Sequence, residues 1–107
     1  MAFTFRQLQF FVAAAEAGSV SGAARALSIS QSSVTEAIRG LEEDLGVTLF
    51  DRQARGIDLT HMGSAFLRHA RKIMTEVSSA RTAFRVEAEA TTGRLSLGVT
   101  SLVAGYV

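Results

Sequence analysis

The chain has 107 residues, room for one small domain, or one domain and a piece of another. Hydrophobic residues make up 48% and charged residues 20%, which supplies a core and argues against disorder. The absence of cysteine excludes a disulfide framework and a cysteine zinc site and suits a reducing cytoplasm, while a net charge of +1 says little about nucleic acid.

The opening, MAFTFRQLQFF, lacks the basic start and long apolar run of a secretion signal. No apolar stretch approaches the roughly 20 residues that span a bilayer, so no membrane partner is expected. Thr4 and Gln7 have capping-box spacing, and Phe3 with Leu8 can staple the helix start. Leu8, Phe11, Val12 and Ala15 then form an apolar stripe that Gly18 stops, which predicts a helix over Phe5–Ala17.

Ser21 to Leu27 reads as a short Ala-rich helix with Ser21 as its cap. Ser28-Ile29-Ser30 is a turn, and Ser30 caps the next helix, which Gly46 ends. In that helix Val34, Ile38, Leu41 and Leu45 form one stripe. The other face carries Gln31, Ser32, Thr35, Glu36 and Arg39, a polar surface that the core does not need. Such a face at a helix start is suited to reading base edges in the major groove.

Val47 to Arg52 and Gly56 to Leu59 alternate as strands do, with Gln53 to Gly56 as the turn. Two short strands are marginal alone, so Leu49, Phe50, Ile57 and Leu59 are expected to pack onto the helices. Thr60 caps a long helix that reaches about Glu89. Within it Phe66, Ala70, Ile73, Val77, Ala80 and Phe84 form a heptad seam. A helix of about 30 residues spans roughly 45 Å, too long to bury its seam on so small a head, so a partner helix is expected. Thr91-Thr92-Gly93 breaks the helix, and Leu95, Leu97 and Val99 then alternate like a strand.

Ser21, Ala23, Ala24, Leu27, Ser30, Gln31, Val34, Thr35, Ile38, Leu41, Glu42, Leu45, Gly46, Leu49, Phe50 and Arg52, continued by Arg55, Leu59, Thr60 and Gly63, carry a gapless pattern from about Phe5 to Gly63. It resembles the DNA-binding domain of LysR-type transcriptional regulators. The chain departs from that pattern at Ser32-Ser33, where Pro-Ala or Pro-Thr is usual, and at Met62, where Ala is common. The resemblance implies a mainly α fold: a winged helix-turn-helix with a two-stranded wing over residues 1–60, its helix-turn-helix at 20–39. A linker helix for dimerisation follows over 61–90. Residues 91–107 would be a hinge and the truncated start of a periplasmic-binding-protein-like effector domain.

The expected function is sequence-specific binding of double-stranded DNA, as a homodimer on an interrupted inverted repeat and a tetramer at full length. Gln31 can address adenine, and the Thr35 methyl can meet a thymine methyl. Ser30, Ser32 and Ser33 lie where helix N–H groups attract phosphate. Glu36 either accepts from cytosine or repels wrong sequences. Arg39, Ser19 and Ser21 are phosphate candidates. Arg55 suits a narrow minor groove, and Arg52 either joins it or pairs with Glu42 or Asp51.

Glu42-Glu43-Asp44 is read as a solvated helix end facing away from DNA. Thr100 and Ser101 would help bind a small anionic effector at full length, in the domain that follows. His61 and His69 lie two helical turns apart, too far for one metal, and no constellation supports an enzyme, a metal site or a cofactor. The rivals are a non-specific architectural DNA binder, for which +1 is low, and a coiled-coil interaction module without DNA binding.

Overall fold

The structure, a computed structural model, describes residues 3–53 and 56–92. The order is α1 (Phe5–Ala17), α2 (Val20–Leu27), α3 (Gln31–Leu45), β1 (Phe50–Gln53), β2 (Gly56–Leu59) and α4 (His61–Thr92). The chain divides into two units, Met1–Met74 and Thr75–Val107, with the boundary inside α4. The first unit takes in the start of α4 because Leu67 and Ala70 are buried in its core and Phe66 and Met74 pack against it.

Local chemistry sets the helix ends. Thr4 and Gln7 close a reciprocal capping box, with Gln7 Oε1 accepting from Thr4 N–H at 2.8 Å and Thr4 Oγ1 accepting from Gln7 N–H at 3.1 Å. Gly18 and Gly46 end α1 and α3 at φ of 74° and 72°, where a side chain is strained. Ser28 takes the same left-handed position after α2, at φ 58°, and Ile29 N–H reaches back to Ala24 O at 3.0 Å. That bond holds the bend between α2 and α3, and Ser30 then accepts from Ser33 N–H at 3.1 Å. The cap of α2 differs from expectation. Ser19 accepts from Gly22 N–H at 2.9 Å, and Ser21 lies inside the helix, which begins at Val20.

The core gathers on Phe11, which is wholly buried. Its ring meets Phe50 of β1 at 5.3 Å and Phe66 of α4 at 5.4 Å, and Phe3 stands edge-on to Phe66 at 5.7 Å. Val34, Ile38 and Leu41 turn the α3 stripe into this cluster; Leu45 is partly buried at its edge. Leu49 and Phe50 are buried and Ile57 and Leu59 packed against the core, so the wing is seated on the helices as expected. Each such buried side chain contributes roughly 1.5–3 kcal/mol. The exposed Arg71–Glu16 pair, 3.6 Å apart, adds no more than about 1 kcal/mol, so packing decides the fold.

Pairing in the wing starts later than the sequence pattern predicts, at Phe50, with the register Phe50↔Leu59, Asp51↔Asp58, Arg52↔Ile57 and Gln53↔Gly56. The residues before it bond elsewhere. Thr60 donates its hydroxyl to Thr48 O at 2.6 Å and its N–H to Leu49 O at 2.9 Å, while its Oγ1 accepts from Gly63 N–H at 2.9 Å. A Cβ on Gly63 would overlap Leu49 O, so only glycine lets α4 start this close.

The acidic run is also corrected. Glu43 and Asp44 are exposed, but Glu42 is half-buried. Its Oε2 accepts from Leu49 N–H at 2.8 Å and Phe50 N–H at 3.4 Å, which ties the end of α3 to the start of the wing.

Glu42→Ala leaves two backbone donors without their partner. It is expected to lower unfolding free energy by about 1–3 kcal/mol in denaturant melts. The cap assignment yields a paired comparison. Ser19→Ala should cost about 1 kcal/mol, whereas Ser21→Ala should stay within about 0.5 kcal/mol of the parent in the same melts.

Candidate nucleic-acid interface

At 100° per residue, α3 presents three surfaces. Val34, Ile38 and Leu41 face the core, while Gln31, Ser32, Glu36 and Arg39 are exposed and Thr35 is half-buried. The polar side chains thus stand clear of the domain along the first turns, held by a helix whose back is packed. Hydroxyls cluster at the helix start: Ser30 Oγ lies 2.9 Å from Ser33 Oγ and 3.2 Å from Ser32 Oγ.

The exposed face has two flanks. On one, Thr35 and Arg39 line a crevice of about 70 Å³ with Arg52 and Ile57 of the wing. Arg52 is exposed and makes no ion pair with Glu42 or Asp51 among the described residues; the Glu42 carboxylate is engaged by the Leu49 and Phe50 amides. Two guanidinium groups, Arg39 and Arg52, therefore share one flank of α3. Ser19 is half-buried at the start of α2, and its Oγ serves as the cap acceptor. Ser21 is half-buried as well.

On the other flank, Ser33, Glu36 and Ala37 border a cleft of about 290 Å³ with the cap residue Thr4 and with Arg6, Gln7 and Phe10 of α1. Sequence reasoning missed this contribution from α1. Arg6 is exposed, and its guanidinium carbon stands 5.2 Å from the Phe10 ring centroid. The spacing of Arg6 and Phe10, four residues apart on one helix, was the available signal.

The α4 seam is divided. Ala70 is fully covered by its own chain, and Phe66 packs on Phe3 and Phe11, so the seam's first residues serve the intramolecular core. This corrects the expected continuous seam: Ala70 has no surface to offer a partner. Farther along, Ile73 is 37% exposed and Phe84 74%, with Val77 half-buried and Ala80 exposed. Arg55, Thr100 and Ser101 lie outside the described residues. Among the described residues no group of three or more His, Cys, Asp or Glu is placed to hold a metal, and no helix is long and apolar enough to cross a membrane.

Residues 5–64 match the family described as "Bacterial regulatory helix-turn-helix protein, lysR family". The chain is 51% identical over 98 residues to the HTH-type transcriptional regulator TfdS of Cupriavidus pinatubonensis, covering 88% of this chain and 32% of TfdS. It thus spans about a third of that relative's length. The fold is similar to that in the crystal structure of the CbnR_DBD-DNA complex, with 45% identity, a TM-score of 0.76, and coverage of 79% of this chain and 98% of that one. It is also similar to that in the BenM_DBD/benA site 1 DNA complex, at 33% identity and a TM-score of 0.73, over 77% of this chain and 95% of that one. A family match over residues 5–64, which takes in the three helices and the wing, leaves one conclusion: the chain belongs to the lysR family of bacterial regulatory helix-turn-helix proteins, as the DNA-binding domain of a LysR-type transcriptional regulator.

Proposed function

We propose that this domain binds a specific double-stranded DNA site by laying the exposed start of α3 in the major groove. The observation that carries the reading is the two-sidedness of α3: Val34, Ile38 and Leu41 are buried, while Gln31, Ser32, Glu36 and Arg39 are exposed. Gln31 addresses an adenine through its amide, and Thr35 meets a thymine methyl. Ser30, Ser32 and Ser33 meet a phosphate at the helix start, with Ser19 and Ser21 beside α2 as further anchors. Arg39 holds phosphate, Glu36 excludes unfavourable sequences, and Arg52 and Arg55 approach the minor groove beside the wing.

Two such heads on a dimer would meet an interrupted inverted repeat. The exposed apolar residues Ile73 and Phe84, with Val77 and Ala80, support pairing along α4, since apolar surface in a row favours burial. In a regulator of the relatives' length, residues 61–90 would serve as the linker helix and 91–107 as the entry to an effector-binding region. Thr100 and Ser101 would then help hold a small anion there, and tetramers would form.

Selection from a random duplex library should enrich one motif. Gln31→Ala should weaken binding to the selected duplex by about 1–3 kcal/mol and relax preference at one base pair. Equal affinity for selected and scrambled duplexes would identify a non-specific architectural binder, and no binding at all an interaction module. Replacing Ile73 and Val77 together by Asp should convert a dimer to a monomer by sedimentation; an unchanged mass would locate the interface elsewhere.

A further inference from the structure

We infer that Arg6 is a phosphate-anchoring residue of the DNA interface, held in place by the Phe10 ring and gripping the backbone on the flank of α3 away from the wing. The inference rests on the DNA reading above. Along α3, Ser33, Glu36 and Ala37 lie on one side and Thr35, Arg39 and Glu42 on the other, given 100° per residue. The exposed polar face runs between them. A duplex groove received by that face has a phosphate backbone on each wall. Arg39 and Arg52 supply cations to the wing-side wall. On the other wall, among the described residues, the cleft is lined by one cationic side chain, Arg6, and by the carboxylate of Glu36.

Three features suit Arg6 to that role. It is exposed, on the first turn of α1, and among the described residues it forms no ion pair, so its donors are available. Its guanidinium lies over a ring that is only 7% exposed, 5.2 Å from the centroid, which restricts its rotamers before any ligand arrives. A guanidinium placed over a ring still has its N–H groups for two parallel hydrogen bonds to a phosphate. Glu36 at the cleft mouth would repel a phosphate by itself, and Arg6 offsets that charge. Lysine could supply the charge but not the fork.

The test uses the whole chain and the duplex enriched by library selection. Arg6→Ala should weaken binding about tenfold on selected and scrambled duplexes alike. It should lower the slope of log affinity against log salt by about 0.9, the signature of one lost phosphate contact. Arg6→Lys should restore most of the slope. Phe10→Leu should weaken binding in the parent but not in the Arg6→Ala background, and thermal melts should show each variant folded. If folded Arg6→Ala binds with parent affinity and slope, Arg6 is no anchor, while DNA binding stands. A loss confined to one base pair, with the slope unchanged, would make Arg6 a base reader and overturn the proposal equally. If the parent protein enriches no duplex and binds none, the DNA reading itself fails, and the inference with it.

Discussion

One ring joins the parts of this domain. Phe11 is wholly buried and sits against Phe50 from the wing and Phe66 from α4, two segments far apart in the chain. A head of about 60 residues has little interior, and helices of this size are marginal alone. Their stability comes from sharing one interior. Because α3 packs its stripe into the same cluster, the position of its polar face follows from how that interior is filled.

Polar groups at the element ends then set the distances. Glu42 bonds the start of the wing to the end of α3, and Thr60 bonds the start of α4 to Thr48 and Leu49. The Glu42 bonds tie the wing to α3 and the Thr60 bonds close its base, which supports two short strands that would be marginal alone. Arg52 is carried on that wing and lines one crevice with Arg39. A rigid scaffold that presents a polar helix face between two cation-bearing flanks fits a groove-reading role, because groove recognition requires phosphate positioning as well as base contact.

The long helix serves two purposes along its length. Phe66, Leu67, Ala70 and Met74 belong to the interior of the head, whereas Ile73, Ala80 and Phe84 keep their surface exposed. A heptad repeat read from sequence does not distinguish these cases, since apolar periodicity reports which residues share a face and not what covers it.

Much of the architecture was local and hence legible. Thr4-Gln7, Ser30, Thr60, Gly18 and Gly46 mark their helix ends through bonds and backbone geometry within a few residues, and the α3 stripe follows from helical periodicity alone. The family pattern of α2, α3 and the wing was equally readable, because it consists of those same signals in order. What the sequence could not decide depended on distant partners. Ser19 and Ser21 are both competent caps, and the chain's path out of α1 selects Ser19. Glu42 resembles its acidic neighbours until the fold brings the amides of Leu49 and Phe50 to it. Ala70 leaves the exposed seam because the head folds onto it, and Arg6 joins the flank of α3 because α1 packs alongside. The sequence by itself determined where helices start, stop and turn apolar, since those depend on neighbours in the chain. Only the tertiary structure decided which polar groups are engaged and which apolar ones remain exposed, since those depend on what arrives from elsewhere in the chain.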